Sequence, residues 1–277
     1  MTESAYPPPL PGMPLSKMGF HGPGTELFRG LRARLSSLEH VPLPSVQNNL
    51  RVGLVVSLVL AALVGFLLSY FVQLALMPLG IIAIVAMFAP LTEESFKAIG
   101  MLVVALFVWK SVPNRRYGAA LGAAAGVGFA IAEDILYFCF QFYPSGAGPE
   151  VYLLRIVLLP FMHPVWSAFV GIGVFVLAAE KSKTENASFG LPLLFLFLGI
   201  VNHIVWNSVA VTTTMFPELD YWPIIVNVLV IFPISALVLR DLLGGHFNFQ
   251  SFFQTVPDLT PEVFPIEPPP PPPPPTT

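Results

Sequence analysis

The sequence predicts an all-α, polytopic membrane bundle with six transmembrane spans, and three observations predict it. The 277 residues have a mean hydropathy of +0.75 and are 55% hydrophobic. Only 10% are charged, against roughly 25% in an ordinary soluble domain. Apolar runs long enough to cross about 30 Å of hydrocarbon recur at 52–76, 79–109, 117–142, 152–179, 190–213 and 222–240.

The first run starts too far from Met1 to be a secretory signal and lacks a small-x-small cleavage site, so it reads as a retained span. The second run is over-long and contains Pro90, which can donate no backbone hydrogen bond. It reads as one crossing, either continuous or broken at Pro90 into a half-helix and a helix capped by Thr92.

Around these spans, residues 1–49 are rich in Pro, Gly and Ser and read as a flexible cytoplasmic arm. Its amphipathic turn at 27–38 suits either a membrane surface or solvated coil. Residues 50–240 form the membrane domain, and 241–277 a polar, then proline-rich, disordered tail. The run from Pro268 to Pro275 favours polyproline II, a ligand for a proline-binding module or plain low-complexity chain.

Lys17, Arg29, Arg32, Arg34, Arg51, Lys110, Arg115, Arg116, Lys181, Lys183 and Arg240 fall on one side of the predicted topology. Both termini are therefore expected in the cytoplasm of a multi-pass protein of the cell membrane. A net charge of -3 with no basic face argues against a nucleic-acid partner. The single cysteine, Cys139, forms no internal disulfide and reads as packing.

The informative residues are the charges inside the spans. From Leu79 to Trp109 only Glu93, Glu94 and Lys97 are ionisable, and each charge costs roughly 2.5 to 3.5 kcal/mol at bilayer depth. On a helix, Glu93 and Lys97 share a face at i, i+4, with Glu94 three residues from Lys97. Counting about 1.5 Å per residue from the cytoplasmic ends puts Glu94, Glu133, His163 and His203 in one layer, roughly 20 to 24 Å deep. Four helices thus supply an acid or imidazole at one depth, whereas unrelated snorkelling residues scatter toward span ends. Ser167 and Asn207 lie four residues after His163 and His203, on the same faces.

Structural readings compete at each position. The Glu-Lys pair also suits an interhelical pin, and a lone membrane histidine a packing hydrogen bond. Gln73, Asn202 and Asn227 read as interhelical hydrogen bonds, and Gly118, Gly122, Gly126 and Gly128 as a close-packing stripe.

The series Glu93-Glu94-Ser95-Phe96-Lys97, Phe129-Ala130-Ile131-Ala132-Glu133, His163 with Ser167, and His203 with Asn207 resembles, in order, the signature of the PrsW family of intramembrane proteases. That family is similar to the CAAX prenyl endopeptidase and bacteriocin-processing membrane proteases. The resemblance covers roughly residues 80–210. Asp134 stands where many relatives have Asn, and Pro164 where many have a small residue.

The resemblance implies hydrolysis of a peptide bond in a single-span membrane protein, such as a membrane-bound anti-sigma factor, near the outer face. Peptide hydrolysis needs an activated water, donors for the oxyanion and an acid for the leaving amine. Glu93, assisted by Glu133, is expected as base, with Glu94 able to exchange roles with it. By similarity His203 and Asn207 hold the oxyanion, His163 orients water or donates a proton, and Lys97 and Ser167 support them. Glu133, His163 and His203 are also candidate zinc ligands. The lack of a His-Glu-x-x-His stretch favours a metal-free glutamate mechanism, with the metal left open.

A proton- or cation-coupled transporter uses the same residue types, but no repeated halves with paired broken helices are evident. A third reading is a membrane scaffold that recruits partners through the proline tail.

Overall fold

In the computed structural model, described over residues 23–39, 50–107, 114–142, 159–183, 188–216, 218 and 222–244, every extended element is helical. Helix α1 is Pro23–Glu39. Helix α2 covers 50–75 with a π-helical stretch at Ala61–Gly65, and α3 covers 81–107 with another at Ile84–Phe88. Helix α4 runs from Arg115 through a terminal π stretch, Tyr137–Phe142. Helices α5 and α6 are Leu159–Lys183 and Gly190–Met215. Helix α7 covers 222–242 and has a π stretch at Asn227–Ile231.

Five of these, α2 and α4 to α7, are long and apolar enough to cross a membrane. Helix α3 spans a similar length and differs by carrying Glu93, Glu94 and Lys97. The outer surface matches: Leu63, Phe71, Ile131, Phe197 and Leu229 are all more than half exposed, a pattern stable in lipid and not in water.

Of the two readings of the second run, the continuous one holds. The helix passes through Pro90, two residues after the π stretch at Ile84–Phe88. The chain turns instead at Met77–Leu79 and Gly80, whose φ of 95° suits a residue without Cβ. Thr92 does not cap a new helix; its Oγ donates back to the carbonyls of Phe88 and Ala89 at 2.8 and 3.0 Å. In the π register Ala89 N–H bonds to Ile84 O, so Val85 O would take its bond from residue 90. Pro90 has no N–H to give. The side-chain amide of Asn207 supplies the bond, donating to Val85 O at 2.9 Å. A widened turn and a borrowed donor thus let the helix continue where a plain α-helix would kink.

Helix α5 is the centre of the bundle, with 78% of its apolar window buried against 11% for α7. Its closest neighbour is α4, and glycine is the reason. A Cβ on Gly118 would fall 2.6 Å from Gly171 O, and one on Gly126 2.5 Å from His163 O. One on Gly122 would collide with Ser167 O. The expected small-residue packing is present, and it sets the register of α4 on the turns of α5 that carry His163 and Ser167. Ser57 of α2 donates to Leu121 O at 3.1 Å on the other side of α4.

Part of the expected flexible arm is folded. Leu35 and Leu38 of α1 are buried in the main core with Phe175 and Leu242. Arg34 pairs with Glu180 at 2.9 Å, Arg32 with Asp241 at 3.1 Å, and Glu39 with Arg115 at 3.2 Å. The leucine stripe of α1 therefore faces helix ends, because those ends offer its arginines partners. This contact gathers the start of α4 and the ends of α5 and α7 at one side of the bundle. The other parts of 1–49 and the tail 245–277, including Pro268 to Pro275, lie outside the described residues. Cys139, expected inside, is exposed on the apolar surface of α4.

Candidate active site

Glu93, Glu94 and Lys97 sit within the first turns of α3 after the π stretch, and all three are buried. The two glutamates have different surroundings. Glu94 is fully engaged: Oε1 accepts from Lys97 Nζ at 2.6 Å and lies 3.1 Å from His203 Nδ1, and Oε2 accepts from Ser167 Oγ at 3.0 Å. Lys97 therefore pairs with Glu94 at i, i+3, not with Glu93. Its ammonium also lies 3.0 Å from His163 Nδ1 and 4.2 Å from the centre of the Phe129 ring. A fully buried lysine is tolerable only with partners of this kind.

Glu93 is held on one side only. Its Oε1 accepts from Gln73 Nε2 of α2 at 3.2 Å. Its Oε2 is buried and has no hydrogen-bond partner among the described residues, and the nearest basic atom is His203 Nε2 at 3.7 Å. The network orders the tautomers. Since Glu94 is an acceptor, His203 carries its proton on Nδ1 and turns the Nε2 lone pair toward Glu93. Since Lys97 is a donor, His163 accepts at Nδ1 and donates from Nε2 to Glu133 Oε2 at 3.0 Å.

The four-helix layer therefore converges. Glu94 of α3 touches His203 of α6, Glu133 of α4 touches His163 of α5, and the two imidazole rings are 4.9 Å apart, edge to face. Ser167 reaches the same group through Glu94. Asn207 departs from expectation: its amide donates to Val85 O, the carbonyl freed by Pro90, which ties its side chain to the α3 backbone.

Two contributors were not singled out from sequence. Trp166 stacks on His203, with ring centres 4.1 Å apart and planes 20° from parallel, and meets His163 edge-on at 5.0 Å. Its position three residues after His163 puts it on the same helix face. Gln73, read as a routine interhelical bond, holds the free glutamate, and nothing in its own span distinguishes it.

Glu93, His163 and His203 each offer one ligand atom, and these atoms lie within 4.8 Å of one another. Tetrahedral zinc separates its donors by roughly 3.3 Å, so shifts of about an ångström would close the set. His163 and His203 are as expected for such a set, but Glu93 takes the place of Glu133, whose Oε2 is engaged by His163.

The model of one family, described as PrsW family intramembrane metalloprotease, matches residues 46–238. Neither a curated protein nor a solved structure gives a significant match. With that match covering most of the chain and every bundle helix from α2 to α7, this chain belongs to the PrsW family of intramembrane proteases.

Proposed function

We propose that this protein cuts a peptide bond of a single-span membrane protein, such as a membrane-bound anti-sigma factor, near the outer face of the cell membrane. All six apolar helices cross the bilayer in this reading, and both termini are cytoplasmic. The cluster of Arg32, Arg34, Arg115, Arg116 and Arg240 at the α1 end of the bundle supports that orientation.

The observation that carries the reading is the pair Glu93 Oε2 and His203 Nε2, two acceptors facing each other across 3.7 Å inside the protein. A water seated between them would donate one hydrogen to each and so satisfy both atoms. Glu93 takes the proton as the oxygen adds to the scissile carbonyl, and Gln73 keeps the carboxylate turned toward it. Glu133 and His163 form the route by which a proton reaches the leaving amine. Lys97 and Ser167 neutralise and fix Glu94, which holds His203 in the tautomer that leaves Nε2 free. The donor set also fits a divalent cation. Glu93, His163 and His203 would hold it, with His163 giving up one present partner, and when bound it polarises the carbonyl and acidifies water.

The test is cleavage of a single-span substrate by purified protein in liposomes, with and without a strong chelator. Cleavage by the unaltered protein, abolished in both Glu93→Gln and His203→Ala, supports the site, and retention in both variants refutes it. Loss on chelation with recovery on adding zinc establishes the cation, and full activity after chelation excludes a required one.

A further inference from the structure

The π-and-proline arrangement of α3 occurs a second time, in α7, without its side-chain partner. At Asn227–Ile231 the helix again widens, with Phe232 N–H bonding to Asn227 O. In that register Val228 O would take its bond from residue 233, which is Pro233. In α3 the corresponding carbonyl is satisfied by Asn207. In α7 no side chain among the described residues takes that place at Val228 O, and the adjacent Asn227, only 3% exposed, has an amide nitrogen with no partner among them. A buried side-chain donor and a backbone carbonyl deprived of its N–H by Pro233 thus belong to consecutive residues. Two such groups left unmet in an apolar bundle are costly.

Their location is next to the reacting groups. Ile224, Val228 and Phe232 pack on Met162, Trp166 and Trp206, and Trp166 is the ring stacked on His203. Ser235 donates to Asn202, the residue before His203. Helices α6 and α7 run antiparallel, so Asn227 lies about two turns beyond Ser235, roughly 10 Å along the bundle from His203. That is about three residues of extended chain. The outer side of α7 faces lipid, with Trp222, Leu229 and Ile234 more than half exposed, so a substrate arriving sideways in the membrane meets this helix.

We propose that the 227–233 turn of α7 docks the unwound backbone of the substrate, Asn227 Nδ2 donating to a substrate carbonyl and Val228 O accepting a substrate N–H about three residues from the bond that is cut. This rests on the peptidase reading above and adds a specificity-determining element that the catalytic layer does not contain. The substrate class it selects is a helix that opens locally near the outer face, since a closed helix has no free peptide groups to offer.

The experiment uses the full chain in lipid nanodiscs and a panel of internally quenched single-span peptides with helix-breaking residues near the outer face. Asn227→Leu removes the donor at similar volume, and Pro233→Ala returns an N–H to Val228 O. Each is expected to lower kcat/KM about tenfold, mainly through KM, while the unfolding temperature stays level or rises because an unmet polar group is gone. Peptide binding by Glu93→Gln protein should weaken by the same factor when either substitution is added. Unchanged kcat/KM in either variant, or a loss that tracks a lower unfolding temperature, overturns the docking role. Absence of cleavage by the unaltered protein across the panel instead removes the peptidase reading, and this inference with it.

Discussion

His203 Nε2 and Glu93 Oε2 face each other at 3.7 Å, beyond hydrogen-bond distance, while one residue further on, Glu94 accepts from three side chains at once. Two adjacent glutamates thus have different surroundings, one with an unpartnered oxygen and one fully engaged.

That difference predicts opposite phenotypes. Glu93→Gln should reduce cleavage by about 10²- to 10⁴-fold and leave thermal unfolding in detergent little changed. Glu94→Gln should lower the unfolding temperature, since a fully buried Lys97 loses its counter-charge at a cost of about 3–5 kcal/mol. Matching thermal shifts in the two variants would contradict the assignment.

The Lys97–Glu94 pair should behave as a unit. Lys97→Met combined with Glu94→Gln is expected to be more stable than the sum of the single changes implies, by about 1–3 kcal/mol. A double-variant cycle on unfolding free energy measures it, and simple additivity would argue against the pair.

Register between α4 and α5 rests on absent side chains. Gly122→Ala should cost about 1–3 kcal/mol and abolish cleavage, because the new methyl meets Ser167 O and pushes Glu133 away from His163. Gly30→Ala, in open space within α1, is the control and should leave the rate unchanged and the stability equal or slightly higher. Unfolding temperature and cleavage rate, measured together, decide it.

Asn207 offers a test by rescue. If its work is to satisfy Val85 O, Asn207→Ala should lose activity and stability together, and adding Pro90→Ala should restore both, since residue 90 then has an N–H. Restored stability without restored cleavage would return Asn207 to the oxyanion site suggested by family likeness.

The sequence was sufficient for the helical class, for five of the apolar helices and for naming Glu94, Glu133, His163 and His203, which the structure brings together. Hydropathy sets helix length, and depth follows from a fixed rise per residue. It also identified the glycine stripe, because small residues at four-residue spacing have one main use between membrane helices.

Other features depended on neighbours that lie far away in the chain. Which glutamate is free was decided by Ser167 and His203 closing around Glu94, more than 70 residues away in sequence. Continuity through Pro90 was decided by a π turn and an amide from another helix, neither visible in local propensity. The folding of α1 was decided by Glu180 and Asp241 at the ends of helices it must first meet. By itself the sequence determined which ionisable residues lie within the apolar helices. Only the tertiary structure decided how they pair, because hydrogen bonds are directional and the four helices choose partners only once they are packed.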